Sequence, residues 1–299
     1  MLVHAGPFGN IAHGNSSIIA DQIGIHGGDY LITEAGFGAD MGAERFFNIK
    51  CRASGLAPDA AVIVATVRAL KAHSGNHKIV AGKALPPDLL AENPDEVHIG
   101  GSNLRKQIEN IRIHGVSPVV AINAFPGDYD SEHDAIREIA ESMGARVAVC
   151  RHFAEGGKGA LELAEVVAEA ADEPSHFQVL YPSDASLKTK IETVATKIYG
   201  AAKVEYSAAA NKQLANYEKN GFGHLPVCIA KTHLSLSSDA SLKGAPTGWT
   251  LPVREVRASV GAGFIYPICG DMRTMPGLGG DPAAHHIDID ADGVISNLS

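Results

Sequence analysis

Two phenylalanines, Phe125 and Phe153, hold matching places in the sequence, each at the carboxyl end of a predicted strand and just before a predicted helix. The strands are short apolar runs, residues 119–122 and 146–153, of the kind that a sheet buries on both faces. Ligands bind at this edge of an open α/β sheet. If the strands are neighbours, the two rings can face each other across a slot for a flat ligand. The alternative is an aromatic pair in the core.

Residues 4–17 form the densest polar loop in the sequence. Three glycines let backbone N–H groups approach a ligand closely, and a cap from residues 15–17 begins a predicted helix over residues 18–23. A helix N-terminus behind a glycine loop favours an anion, and His4 and His13 could supply a proton there. The alternative is a sharp turn whose histidines are only hydrogen-bonded.

Charged side chains follow two other predicted strands. Glu34 and Asp40 come after residues 30–33 and could act as acid, base or ligands of a metal-bound water, although surface carboxylates are the commoner explanation. Arg68 and Lys71 come after a buried strand that begins at residue 60. Basic residues at such an edge suit a phosphate or a carboxylate, and a solvated basic end is the alternative.

Strand and helix patterns alternate along the chain, which predicts an α/β fold with a largely parallel sheet. The turn of Pro126, Gly127 and Asp128 leads into a predicted helix over residues 130–143. Residues 82–102 are rich in proline and glycine and are the candidate hinge. Further helices are predicted over residues 39–52, 103–114, 160–171, 186–199 and 207–220, further strands over residues 178–181, 227–231, 253–260 and 264–268, and a terminal β-hairpin over residues 286–295.

Composition excludes several classes of protein. The chain has 299 residues and a net charge of −9, which disfavours wrapping of nucleic acid. Four separated cysteines indicate reduced thiols in a cytoplasmic protein, and neither a signal peptide nor an apolar run long enough to span a membrane is found. The sequence lacks a phosphate-binding G-x-x-x-x-G-K-[ST] motif, an HExxH motif and a G-x-S-x-G elbow, and no metal site is predicted.

Seven stretches, in order along the whole chain, resemble formate–tetrahydrofolate ligases (formyltetrahydrofolate synthetases). Two departures stand out, since Ser74 replaces a usual glycine and Phe153 replaces a common tryptophan. The stretches are residues 3–17, 33–40, 64–75, 120–126, 155–159, 242–248 and 274–277.

The resemblance implies ATP-dependent formation of 10-formyltetrahydrofolate from formate and tetrahydrofolate through formyl phosphate, with Mg²⁺ and a candidate monovalent cation. It implies a P-loop-NTPase-like, mostly parallel sheet with flanking helices, and a smaller α/β C-terminal region that ends in a β-hairpin. His13 takes a catalytic place in the formyl phosphate and folate cleft. The folate ring stacks between Phe125, with Pro126, and Phe153, beside Gly156 and Gly157. The adenine lies near Thr274, Met275, Pro276 and Gly277.

The P-loop of this family lies in its N-terminal half, which the resemblance does not include. The first residues of the chain also look like the interior of a domain. We therefore expect a fragment, or one half of a split enzyme with a P-loop-bearing partner chain. A homo-oligomer is a further candidate, and a non-catalytic folate-binding or assembly subunit is the alternative. The expected regions are residues 1–102 for nucleotide and formyl phosphate, 103–182 for folate stacking and 183–299 with the adenine-side loop.

Overall fold

The computed structural model describes residues 13–15, 17–80, 83–270, 281, 285–291 and 295–296. A parallel sheet, in the order β1-β2-β3, contains β1 (Ala60–Ala65), β2 (Ser117–Asn123) and β3 (Arg146–Cys150). The five residues inside β2 are all buried, as expected of a central parallel strand. The helices in this part of the chain are α1 (Ile18–Gly24), α2 (Gly42–Arg45), α3 (Arg52–Ser54), α4 (Val67–His73), α5 (Pro87–Leu90), α6 (Pro94–Arg112), α7 (Asp130–Ser142), α8 (His152–Glu155) and α9 (Leu161–Ala171).

A second sheet follows, with α10 (Leu187–Lys197), β4 (Lys203–Tyr206), α11 (Ala208–Lys219), β5 (Thr250–Ser259) and β6 (Phe264–Cys269). β4 is parallel to β5, and β5 forms an antiparallel hairpin with β6. Both predicted strands of that hairpin are therefore confirmed. β4 was not predicted, because a four-residue run with two charged side chains has no buried-strand pattern. A short antiparallel pair, β7 (Asp288–Ile289) and β8 (Ile295–Ser296), lies where the terminal hairpin is predicted.

The predicted loop over residues 82–102 is wrong in its second half, because α6 begins at Pro94 rather than at residue 103. Asn93 accepts a hydrogen bond from the Glu96 N–H, and proline suits the first helical turn, where its nitrogen has no partner to lose. The Gly100-Gly101 pair does not break the helix. A Cβ on Gly100 would lie 1.7 Å from the Leu70 carbonyl oxygen, so this glycine is a packing device that brings α6 against α4.

Three predicted strands are wrong as regular strands. Residues 30–33 and 178–181 pair with no strand among the described residues, and residues 227–231 make only the isolated bridges Val227–Ile265 and Ala230–Ile268. Their β-type composition is correct, but a strand also needs a partner that continues the ladder. The predicted helix over residues 39–52 contains a π-helical segment, Phe46–Cys51, between α2 and α3.

Each sheet has its own core. β1–β3 pack with α4, α6 and α7 around residues such as Ile122 and Ile136, and β4–β6 pack with α10 and α11 around residues such as Ile191 and Leu251. The mixed α/β class is confirmed, with a parallel first sheet and a mixed second one. The boundary at residue 102 stays a prediction, and α6 runs across that position. None of the helices in the described ranges is long and apolar enough to cross a bilayer.

Candidate functional site

Phe125 lies in a turn that its own backbone and Asp128 hold together. The Phe125 N–H donates to the Asp128 Oδ2 at 2.9 Å, and the Asp128 N–H donates back to the Phe125 carbonyl at 3.1 Å. Gly127 has a φ of 96°, which side chains rarely adopt. His133 Nε2 lies 3.4 Å from the same Asp128 oxygen. The predicted side-chain acceptor of this turn is therefore confirmed, and the ring projects from a fixed loop.

Arg68 covers one side of the Phe125 ring. Its guanidinium carbon lies 4.7 Å from the ring centroid, which is cation–π distance. Arg68 Nε is buried and makes no hydrogen bond to any described residue. Arg68 belongs to α4, directly after β1, so two neighbouring strands deliver a cation and an aromatic ring to one edge of the sheet. That combination suits a ligand with both a flat ring and an anionic group.

A buried ion pair lies where this turn leads into α7. Lys71 Nζ lies 2.9 Å from Glu132 Oε1, and the two side chains are only 1% and 2% exposed. Glu132 also accepts from the N–H groups of Asn93 and Tyr129. The pair thus ties the start of α7 to α4, which carries Arg68. No local sequence signal could have found it, because the two residues are 61 positions apart.

Phe153 lies in α8 at the end of the neighbouring strand and is 81% exposed, whereas Phe125 is 39% exposed. The following loop closes where the Arg151 N–H donates to the Gly159 carbonyl at 2.8 Å. A Cβ on Gly159 would lie 2.5 Å from the Arg151 carbonyl group, so this close approach needs glycine. Around Gly156 and Gly157, by contrast, the space within 4 Å of an added Cβ is open.

Phe125 and Phe153 follow the ends of adjacent parallel strands, since Asn123 of β2 is in register with Cys150 of β3. Among the described residues, the close ring pairs do not include Phe125 with Phe153. The alternative of an aromatic pair in the core is wrong, since both rings are exposed. Phe153 is mostly exposed, and Phe125 is partly exposed beside Arg68, so each ring has surface that a ligand can reach.

His13 has different neighbours. Its ring packs edge-on to Phe264 of β6 at 6.3 Å between centroids, and its Nδ1 accepts from the Asn15 N–H at 3.3 Å. The helix that follows is capped by Ser17, as one of the predicted alternatives, although the hydrogen bond to the Ala20 N–H is long at 3.5 Å. The catalytic role of His13 stays a prediction. His4 lies outside the described residues.

Asp40 is not the surface carboxylate that its sequence context favoured. It is 6% exposed, lies 2.8 Å from Lys231 Nζ and accepts from Gln107 Nε2. Lys231 also donates to the Ser235 carbonyl at 2.6 Å, so the pair joins the first half of the chain to the loop after residue 230. Glu34 is exposed, as the commoner explanation has it.

A second carboxylate, Glu44, is also buried, and the charge of Asp40 acts on it. Burial raises the pKa of Glu44 from 4.5 to about 7, and its Oε1 accepts from Asn48. Glu44 Oε2 has no hydrogen-bond partner among the described residues. Burial therefore favours the neutral form of this carboxyl group over a wider pH range than usual.

The predicted adenine-side residues Thr274, Met275, Pro276 and Gly277 lie outside the described residues. In the described part of the chain, no cluster of three or more histidine, cysteine, aspartate or glutamate side chains has a metal-binding arrangement.

Comparisons with known proteins give the family. The family model for formate–tetrahydrofolate ligase matches residues 1–299. A formate–tetrahydrofolate ligase of Saccharopolyspora erythraea is 74% identical over 299 residues, which are 100% of this chain and 53% of that protein. Formate–tetrahydrofolate ligase 3 of Rubrobacter xylanophilus is 66% identical over 99% of this chain and 53% of its own length. A formate–tetrahydrofolate ligase of Cutibacterium acnes is 62% identical over 98% and 52%.

The chain thus spans about half the length of the curated relatives it matches. The match itself covers every residue of the chain, including both exposed phenylalanines and the glycine loop beside Phe153. The chain belongs to the formate–tetrahydrofolate ligase family.

Proposed function

We propose that the chain forms the folate-binding half of a formate–tetrahydrofolate ligase, which makes 10-formyltetrahydrofolate from ATP, formate and tetrahydrofolate through formyl phosphate. The single observation that carries this proposal is the pair of exposed rings, Phe125 and Phe153, at the carboxyl ends of adjacent parallel strands. The pterin of tetrahydrofolate is flat, and a slot between two aromatic rings would hold it by stacking on both faces. Family membership supports the choice of folate over other flat ligands.

The groups around the rings fit the remaining parts of that ligand. Gly156 and Gly157 leave open space beside Phe153, so backbone N–H groups there can approach a bound ring. Pro126 extends the apolar surface next to Phe125. Arg68 carries a guanidinium with a buried, unpaired nitrogen, which favours an anionic group, either a carboxylate of the folate or the phosphate of the acyl intermediate. These residues would orient a nucleophilic nitrogen while excluding water.

The nucleotide side of the reaction needs more than this half. We propose that ATP phosphates, with Mg²⁺, bind the part of the ligase that this chain does not match, and that residues 274–277 approach the adenine. In this proposal a P-loop-like sheet, of which β1–β3 are one end, is completed by that other part. A monovalent cation near formyl phosphate, a catalytic His13 and a boundary between regions near residue 102 belong to the same proposal.

Calorimetric titration of tetrahydrofolate into the purified chain tests the folate half directly. We expect measurable binding that Phe153→Ala weakens at least tenfold, because stacking on one face is lost together with the apolar area of the ring. Leu161→Ala is the matched control, since Leu161 is 60% exposed on α9 and is not one of the residues proposed to stack on the folate. Equal affinities for wild type and Phe153→Ala would contradict the slot. Folate binding without any ligase activity, even with the other half present, would favour a folate-binding subunit instead.

A further inference from the structure

Asp128 is a buried carboxylate in an otherwise exposed turn. Its side chain is only 5% exposed, whereas residues 125–127 of the same turn are all exposed. Its Oδ2 accepts a hydrogen bond from the Phe125 N–H at 2.9 Å, and the same oxygen lies 3.4 Å from His133 Nε2. A buried carboxylate is costly unless it is hydrogen-bonded, so these two contacts are what stabilise Asp128 in this position.

His133 lies on the other side of this carboxylate. Its side chain is 6% exposed and belongs to α7, the helix that follows the turn. An ionised carboxylate only accepts hydrogen bonds, so the imidazole proton that faces Asp128 is on Nε2. Nδ1 is buried and has no hydrogen-bond partner among the described residues, so an N–H group there would lack an acceptor. The three residues thus form a chain of contacts from His133 through Asp128 to the Phe125 backbone.

The commoner role of an aspartate just before a helix is to cap that helix. Asp128 instead accepts from Phe125, three residues upstream, and not from the first N–H groups of α7, all of which are described. Glu132 takes the capping role, because its Oε2 accepts from the Tyr129 N–H at 3.3 Å while its own N–H donates to the Tyr129 carbonyl at 3.0 Å. The Asp128 carboxylate therefore serves the turn that carries the Phe125 ring rather than the helix.

We propose that Asp128 and His133 are positioning residues for folate, which hold the Phe125 ring ready to stack before the ligand binds. The inference rests on the proposed function and adds two side chains that are too buried to touch the ligand themselves. A ring on a fixed turn loses less conformational freedom on binding than a ring on a mobile turn, so the affinity for folate is higher. A fixed ring also sets the plane of the pterin, and with it the direction of the nitrogen that accepts the formyl group.

Calorimetric titration of tetrahydrofolate into the chain and its variants measures the effect on affinity. We expect Asp128→Ala to weaken binding at least tenfold and His133→Leu about threefold, because each loses a hydrogen bond that holds the turn. Asp128→Asn should bind within about twofold of wild type, since one amide oxygen can accept from both Phe125 and His133. Asp134→Ala is the matched control, because it removes an exposed carboxylate from the same helix, α7, and should change the affinity less than about twofold.

Two variant backgrounds show whether Asp128 acts through the Phe125 ring. In Phe125→Ala the ring is gone, so adding Asp128→Ala should change the affinity less than about twofold. In Phe153→Ala only the other ring is lost, so adding Asp128→Ala should again cost at least tenfold. An equal cost in the two backgrounds, as expected of a residue that supports the fold in general, would contradict the proposal, and so would wild-type affinity in Asp128→Ala.

Amide hydrogen exchange distinguishes a failure of this inference from a failure of the proposed function. The Phe125 amide, followed by NMR in the free chain, should exchange at least tenfold faster in Asp128→Ala and at the wild-type rate in Asp128→Asn. Unchanged exchange in Asp128→Ala would mean that Asp128 does not fix the turn. A wild-type chain that binds no tetrahydrofolate contradicts the proposed function, and the exchange rates then decide alone whether Asp128 fixes the turn. Asp128→Ala must melt at the wild-type temperature, and His133→Leu replaces it in both backgrounds if it does not.

Discussion

The two sheets of this chain have similar strands but different surroundings. Residues 13–65 carry nine exposed large apolar side chains, from Ile19 to Val64, whereas residues 187–270 carry three. Around β4–β6, the apolar residues find their partners within the chain, on α10, α11 and the opposing strand. In β1, Val62 and Val64 stay 43% and 65% exposed. The difference teaches that elements of the described chain bury the apolar side chains of the second sheet more completely than those of β1.

A buried ion pair, Asp40 with Lys231, links the two regions. We expect Lys231→Met to lower the free energy of unfolding by about 3–5 kcal/mol, because Asp40 would stay buried without its counter-charge. Urea denaturation measures the loss. A loss of stability no larger than that caused by breaking an exposed ion pair would contradict this expectation.

The matched control removes both charges. Asp40→Asn with Lys231→Met should recover much of the lost stability, because a neutral amide can still accept from Gln107. A double variant as unstable as the single one would show that Lys231 acts through its carbonyl contacts, such as that to Ser235, rather than through Asp40.

Two buried groups, Glu44 and His114, change the stability of the folded chain in opposite directions as pH rises. The pKa of Glu44 is raised to about 7, so its contribution to stability is complete below about pH 4.5 and is lost as pH rises towards 7. The pKa of His114 is lowered to about 4 by burial, so its contribution is present above about pH 6.5 and is lost as pH falls towards 4. Between pH 4.5 and 6.5 the two slopes oppose each other.

Single variants separate these slopes. Glu44→Gln should become more stable as pH rises through this window, and His114→Asn should become less stable, each by up to about 3 kcal/mol. Asparagine keeps a donor for the Gln178 carbonyl, which His114 Nδ1 contacts at 3.0 Å. Thermal melts at pH 4.5, 5.5 and 6.5 measure both. Parallel pH profiles in wild type and the two variants would contradict the assignment.

The smallest expected effects on stability compare a buried and an exposed valine of the first sheet, Val120 and Val64. Val120→Thr should cost about 1–3 kcal/mol, because it buries a hydroxyl in β2, where Val120 is 0% exposed. Val64→Thr should change the stability of the isolated chain by less than about 0.5 kcal/mol. Urea denaturation of both variants makes the comparison, and an equal cost at the two positions would mean that β1 is already covered.

Sequence reasoning succeeded where the signal is local. The buried run of β2, the Asp128 turn and the helix behind it depend on neighbours within a few residues, and all three are present. The sequence placed Phe125 and Phe153 after two strands and left open whether those strands are neighbours; the structure shows that they are.

It failed where the answer depends on distant residues. Gly100 is typical of a loop until the Leu70 carbonyl is seen against it. Nothing near Asp40 or Glu132 in the sequence indicates their lysine partners, which lie 191 and 61 positions away. Residues 30–33 have the composition of a strand but pair with no strand in the described part of the chain, and pairing depends on residues distant in the sequence.

The central claim is tested most directly by the formation of 10-formyltetrahydrofolate from ATP, formate and tetrahydrofolate. It is measured with this chain alone, with the unmatched half of the Saccharopolyspora erythraea ligase alone, and with the two mixed. The account predicts no product from either half and ATP-dependent product from the mixture, with loss of that product in Phe153→Ala. Product from this chain alone at the rate of the mixture would contradict it.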